Sequence, residues 1–274
     1  MSEPNPSAFH AFEQAGWERA AEHYADAFGA LTAQAAEPLL NAAGIASGTL
    51  LLDVACGPGF IASAAAAQGA SVTGLDFSAA MIAEARRRHG PSIAFREGDA
   101  EALPFEDATF EAVVMNFGML HLARPEAAVV EALRVLRPGS RYAFTVWAPP
   151  EQAVGFGMTL RAIREHGNPD VPLPEGPPFF RFSNATECYR TLEKARFADV
   201  SVSTLPLVWR VSSADAVFEA LSRGGVRTAA VLRAQTPAAL EAIRGAVRAE
   251  VESYAHDGEF RLPMPAVLTS GRAR

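Results

Sequence analysis

Lysine is nearly absent from this chain: of its 24 basic residues only Lys194 is not an arginine. With the abundance of alanine, that is the codon signature of a GC-rich bacterial genome. Cysteine is scarce as well. Cys56 and Cys188 are too few for a disulfide framework or a zinc quartet. His10, His23, His89, His166 and His256 show no metal-ligand spacing, so no metal is expected. No run of about 18 apolar residues exists to enter a membrane. The opening MSEPNPSAF has neither a basic nor an apolar region, so no signal peptide is expected and the default location is cytoplasmic. Positive charge is in deficit, 24 basic against 31 acidic residues. The one basic cluster, Arg86-Arg87-Arg88, reads as a solvated helix end. Nucleic acid and anionic membranes are therefore not expected partners.

Apolar residues make up 49% and charged residues 20% of 274, which suits one large globular domain or a core with a cap. Residues 1–8 read as a frayed tail, 9–28 and 31–43 as helices. Residues 49–55 form a short apolar run ending in glycines, a buried strand. Helices over 60–68, 78–89 and 125–139 then alternate with strands over 71–76, 92–99, 110–117 and 141–147. Ser78 is a natural N-cap, and Pro-Gly pairs close the helices. Such alternation implies a parallel sheet covered by helices on both faces. After Pro149-Pro150 the regularity drops. Helices are expected over 155–166, 185–197, 213–223 and 237–254, and strands over 199–209 and 259–271. The Pro-rich stretch 168–180 reads as a lid or substrate-facing loop.

Asp53, Asp76 and Asp99 are spaced 23 residues apart and each closes an expected strand. Equal strand–helix units bring all three to one edge of the sheet, where such folds bind ligands. Any one of them has the alternative of capping the next helix. Between the first strand and its helix lies Cys56-Gly57-Pro58-Gly59-Phe60-Ile61-Ala62. Glycines there let a ligand approach the backbone, and the helix N-terminus offers free N–H groups. The stretch fits G-x-G-x-x-G/A with Asp76 following, which also allows a nicotinamide dinucleotide. Asp53 separates the two readings: just before the loop it repels a pyrophosphate and suits a cationic ligand.

Together, DVACGPG (53–59), GLDFS (74–78), GDAEALPF (98–105) and RVLRPG (134–139) resemble the class I S-adenosylmethionine-dependent methyltransferases. Among these the chain is similar to the small-molecule branch that includes the ubiquinone and menaquinone biosynthesis enzymes. The likeness covers residues 49–147. It implies a Rossmann-like, mostly parallel sheet of seven strands, the last antiparallel, with helices on both faces and a helical cap. It also implies S-adenosylmethionine as cofactor and a small-molecule methyl acceptor. Carried over by position, Asp53 and the Ala55–Gly59 loop, with Gly57, hold the methionine part. Asp76 takes the ribose hydroxyls, Phe77 lies against the adenine, and Asp99 and the Ala100 N–H meet its edge. Asn116 lines the methionine end. Two positions depart from the pattern: Ala55, where relatives often have glycine, and Ser140, where a second glycine usually follows the proline.

Other candidates carry two readings each. His121 is a general base facing the acceptor or a hydrogen-bonded structural histidine. Cys56 has a nucleophile's position but reads as packing. Trp17 and Tyr24 either close over the cofactor or pack as helix core. Phe156, Phe179 and Phe180 either line an apolar acceptor pocket or fill the core. The expected organisation is an N-terminal helical cap (1–48), a cofactor-binding core (49–150), a lid insertion (151–197), and the last strands (198–274) with a helical insertion at 213–256. The expected activity is in-line methyl transfer. The rivals are a nicotinamide-dependent oxidoreductase and a methyltransferase-like protein that holds the cofactor without transferring methyl.

Overall fold

The computed structural model describes residues 5–274. Asn5 accepts a hydrogen bond from the Ala8 amide and Pro6 stands in the first turn, so helix α1 runs over Pro6–Tyr24. The frayed tail expected over 1–8 is thus corrected at residues 5–8, and residues 1–4 lie outside the described part. The helix expected to Phe28 loosens at Tyr24 into a π turn, Ala25–Gly29. Short turns follow, α2 (Ala30–Thr32) and a 3-10 turn (Ala33–Ala35), leading into α3 (Ala36–Ala43). Single π turns inside helices commonly sit at functional sites.

The alternating region follows as β1 (Leu50–Val54), α4 (Phe60–Ala67), β2 (Ser71–Asp76), α5 (Ala79–His89), β3 (Ala94–Glu97), β4 (Phe110–Asn116), α6 (Pro125–Val135) and β5 (Leu136–Trp147). Then come α7 (Val154–His166), α8 (Ala185–Lys194), β6 (Ala198–Leu205), β7 (Val208–Val211), α9 (Ala216–Arg223), α10 (Arg227–Arg233) and α11 (Pro237–Glu252). Three strands close the chain: β8 (Ala255–His256), β9 (Glu259–Pro263) and β10 (Ala266–Arg272).

Seven strands form the main sheet in the order β3-β2-β1-β4-β5-β10-β6. β1 to β5 pair in parallel, and β10 runs antiparallel to both β5 and β6. The seven-stranded, mostly parallel sheet with helices around it is the architecture that the resemblance implied. β1 and β4 are buried along most of their length, as central parallel strands covered on both faces must be. β6, at the edge, alternates.

Two expected strands are corrected. The stretch 199–209 splits into β6 and β7, and 259–271 splits into β9 and β10. The breaks fall at Pro206 and at Pro265, where a missing N–H interrupts a ladder. β7 and β9 leave the main sheet and join β8 in a separate three-stranded antiparallel sheet. The helix expected over 125–139 ends at Val135, because Leu136 already pairs with Phe110. α10 lies within the helical insertion expected over 213–256, as a helix of its own that was not given there.

α3 packs on β4 and β5, and α8 packs on β6. The segments 1–48 and 151–197 therefore each supply a helix that covers the sheet. Beyond the carboxyl ends of the strands stand α1, the π turn, α9, α10 and the coil before α8. Among the described residues no helix is long and apolar enough to cross a membrane.

Candidate active site

The strand order reverses between β1 and β4, and parallel sheets bind ligands outside the carboxyl ends at such a point. A cleft of about 860 Å³ opens there, and Asp53, Asp76 and Asp99 all line it. Their equal spacing has brought three carboxylates to one edge.

Asp53 sits within β1 with no exposed surface, and neither carboxylate oxygen has a hydrogen-bond partner. Burial pushes its pKa up to about 8. The nearby Ala62 amide opposes this without closing a hydrogen bond, and the Asp76 charge adds to it. Asp76 ends β2. Its Oδ2 accepts from the Gly57 amide at 2.8 Å and its Oδ1 from the Ser78 amide at 2.9 Å. Burial raises its pKa to about 6 against those two bonds. Each oxygen keeps acceptor capacity for a further donor.

The loop between β1 and α4 is left-handed at three residues: Ala55 (φ +53°), Gly57 (φ +51°) and Gly59 (φ +83°). A Cβ at Gly57 would touch nothing, so the loop leaves room there. At Gly59 it would stand 2.8 Å from the Phe95 ring and 2.9 Å from His89, so glycine is required by packing. Gly59 is the N-cap of α4 and does not line the cleft. Ala55 adopts the same conformation with a methyl, at a cost of about 1–2 kcal/mol. Cys56 is buried, and burial raises its thiol well above the ordinary value, so it packs as a neutral side chain.

Tyr24, Phe77, Ala100 and Asn116 line the same cleft. His10 meets the Phe77 ring edge-on at 5.4 Å. Asp99 lies two residues past β3, its Oδ1 accepting from the Glu101 amide at 2.8 Å. Asn116 ends β4; its Oδ1 accepts from Thr145 Oγ1 at 2.6 Å and its Nδ2 donates to the Thr32 carbonyl. The Tyr24 hydroxyl, its pKa raised by burial, stands 3.5 Å from Thr32 Oγ1.

A second chamber of about 500 Å³ shares Trp17, Tyr24, Thr32, Phe117 and His121 with the cleft. Phe28, Trp147, Phe156 and Phe179 complete its aromatic wall. Phe117 is held at φ +54° and stacks on Trp147 with ring centroids 4.0 Å apart. Strain of this kind collects at functional sites. Phe180 does not reach this chamber; it lines an adjoining outer pocket with Phe156 and Phe179. His121 ends the 3-10 turn after β4, at the junction of cleft and chamber. Its Nδ1 lies 2.9 Å from Glu13 Oε2.

Glu13 and Arg227 were missed from sequence. Glu13 had a signal: on α1 it shares the buried stripe of Phe9, Gly16 and Ala20, an acid where a core residue belongs. Arg227 had none, because its neighbours come from distant parts of the chain.

Residues 52–144 match the methyltransferase domain family. Over 122 residues the chain is 41% identical to a demethylmenaquinone methyltransferase of Beutenbergia cavernae, covering 43% of this chain and 50% of that one. The chain thus spans about half the length of the curated relatives it matches. A solved structure of a possible histamine N-methyltransferase from Thermotoga maritima superposes with a TM-score of 0.57 at 17% identity, over 96% of this chain and 100% of that one. So does phosphoethanolamine N-methyltransferase 2 of Haemonchus contortus in complex with S-adenosyl-L-methionine (TM-score 0.57, 16% identity, 96% of this chain and 59% of that one). At such identities these two show the fold alone. The seven-stranded sheet and the match over residues 52–144 together make the core of this chain similar to the methyltransferase domain family, in line with the resemblance to class I S-adenosylmethionine-dependent methyltransferases.

Proposed function

We propose that the whole protein is a cytoplasmic methyltransferase that moves the methyl group of S-adenosylmethionine to a small, largely apolar acceptor. The observation that carries this reading is Asp53, a buried carboxylate without a partner in the wall of the cleft. An unpaired buried acid calls for a cation, and the cofactor's amino acid part brings one. A dinucleotide's pyrophosphate brings the opposite charge, which disfavours the nicotinamide reading. When bound, the cofactor supplies an electrophilic methyl on a good leaving group.

The chain's own residues have the rest to do. Asp53 and the amides of the Ala55–Gly59 loop would hold the charged amino acid end. Asp76 would take the ribose hydroxyls, Phe77 the adenine face, Asp99 and the Ala100 amide its edge. Tyr24 and Asn116 would bound the methionine end. Phe156 and Phe179 would hold the acceptor in the aromatic chamber, with Phe180 in the outer pocket, and the chamber walls would keep water out. His121 would receive a proton from the acceptor. The coil over 168–180 would act as the lid: the Pro177 carbonyl accepts from Arg227, and Gly176 lies against the Phe9 ring. Buried, unpaired Cys56 and Cys188 fit a reducing compartment.

Calorimetry with S-adenosylmethionine, S-adenosylhomocysteine and NADH tests the reading. One site per chain for the two sulfur cofactors, insensitive to chelator, is expected. Tight NADH binding with no response to either would end it. Cofactor binding with no S-adenosylhomocysteine formed across a panel of small aromatic acceptors would leave a protein that holds the cofactor without using it.

A further inference from the structure

Glu13 has no exposed surface, yet it carries a charge on a helix face otherwise built of core residues. Its Oε2 meets His121 Nδ1 at 2.9 Å and its Oε1 accepts from Arg227 Nε at 2.7 Å. Arg227 also donates to the Pro177 carbonyl at 2.8 Å and to the Leu120 carbonyl at 2.9 Å. One guanidinium therefore ties α10 to α1, to the coil before α8 and to the turn that bears His121. Burial alone would raise the Glu13 carboxyl, but His121 and Arg227 outweigh it and hold it below the usual range. A buried acid between two bases is costly to assemble and badly destabilising when one partner is removed.

From this cluster we infer that Glu13 is the positioning residue of His121, fixing its ring with the proton on Nδ1 so that Nε2 takes the proton of an acidic hydroxyl on the acceptor. The inference rests on the methyl-transfer reading above. Its chemistry follows from the donor inventory. A carboxylate only accepts, so the ring nitrogen facing Glu13 must carry the proton, and the neutral ring then has its lone pair on Nε2. Among the described residues no protein group meets Nε2, and the ring borders both the cleft and the aromatic chamber. Trp17 at 4.7 Å and Phe179 at 5.8 Å pack edge-on against the ring. The charged or titratable groups around it are His10, Glu13 and Tyr24 from α1, Arg227 from α10, and, across the cleft, Asp53, Cys56, Asp76 and Asp99. In the transfer the acceptor oxygen forms its bond to the methyl carbon as the carbon–sulfur bond breaks. The sulfur leaves as a neutral thioether, and the hydroxyl proton ends on Nε2.

The tautomer can be read directly. Nitrogen-15 NMR of histidine-labelled protein with S-adenosylhomocysteine added should show neutral His121 as the Nδ1–H form. Glu13→Gln, which keeps an acceptor oxygen, should retain that form. Glu13→Leu combined with Arg227→Met, which leaves no lone buried charge, should lose it. An Nε2–H form in the wild type overturns the inference whether or not any variant folds, and so does an unchanged tautomer in the double variant. The second arm uses 4-nitrophenol as the probe, at a pH below its own ionisation. Its phenolate band should appear on wild-type protein and vanish on His121→Ala; a probe that stays neutral overturns the acceptor class. Loss of S-adenosylhomocysteine binding in the same samples would instead count against the cofactor reading, since the tautomer is read independently of it.

Discussion

Asp53→Asn should make the free protein more stable at neutral pH while weakening its hold on the cofactor. The buried carboxylate has no hydrogen-bond partner and titrates near 8 instead of near 3.8. At about 1.4 kcal/mol for each pH unit of displacement, full ionisation costs the folded chain about 5–6 kcal/mol. The direction follows from proton counting. Between pH 4 and pH 8 the folded state binds the proton and the unfolded state does not, so wild-type stability falls as pH rises through that window. Above about pH 8 the effect is complete. Asparagine has no such titration, and Asp76 is common to both proteins. The stability difference between variant and wild type should therefore grow by about 1.4 kcal/mol per pH unit from pH 4 to pH 8 and then level off. Urea unfolding of both proteins across that range, without ligand, measures it. With S-adenosylmethionine the order reverses, because a cationic partner favours the ionised acid. Wild type should release close to one proton on binding at pH 7, seen as a dependence of the calorimetric heat on buffer ionisation enthalpy. Asp53→Asn should release none from this position. Parallel stability curves for the two proteins, with equal proton release, would refute the account of Asp53.

Asp76→Ala leaves the Gly57 and Ser78 amides without their carboxylate and, on the proposed reading, the ribose hydroxyls too, and should weaken cofactor binding roughly tenfold to 150-fold; an unchanged Kd in a folded variant removes Asp76 from the site. Ala55→Gly relieves a left-handed alanine and should raise stability by about 0.5–1 kcal/mol after the unfolded-state entropy of glycine is counted, read as a rise in Tm. His121→Ala should lower turnover by about 10²–10⁴ with cofactor affinity unchanged; a folded variant with wild-type turnover retires the base. Proteolytic cleavage within 168–180 should slow when cofactor and acceptor are both present, and equal cleavage with and without them counts against a lid.

The sheet and the edge where its three acids meet were legible because their signals are local. β1, β2 and β4 are apolar runs bounded by glycine or by an acid, and the 23-residue spacing of Asp53, Asp76 and Asp99 encodes their shared edge. The small second sheet was not legible. Strand periodicity continues across Pro206 and Pro265, and alternation says which face a residue takes but not which sheet its strand joins. α10 escaped because it is only seven residues long and follows the Gly224-Gly225 break. The aromatic chamber is harder still. Trp17, Phe117, Trp147, Phe156 and Phe179 come from separate segments, and nothing local to any of them tells a chamber wall from core. Phe180 shows the limit: it adjoins Phe179 in sequence yet faces the outer pocket instead of the chamber beside His121.

Four departures from good folding chemistry in this chain gather at one place, while left-handed Ala108, Arg196, Asp199 and Asp257 lie elsewhere. Asp53 is a buried acid with no partner; Ala55 and Phe117 hold left-handed backbone without being glycine; Glu13 is a charge in a core stripe. Each would be removed by a sequence selected for stability alone, since local rules and the global fold normally agree. All but Glu13 line the cleft or the chamber directly, and Glu13 touches His121, which lines both. On the proposed reading the two acids have two jobs: the unpaired Asp53 would meet the cofactor's cation, and the paired Glu13 behind the histidine would set its proton. Asp53 should therefore respond to the cofactor alone, and Glu13 should govern the state of His121 whether or not the cofactor is bound.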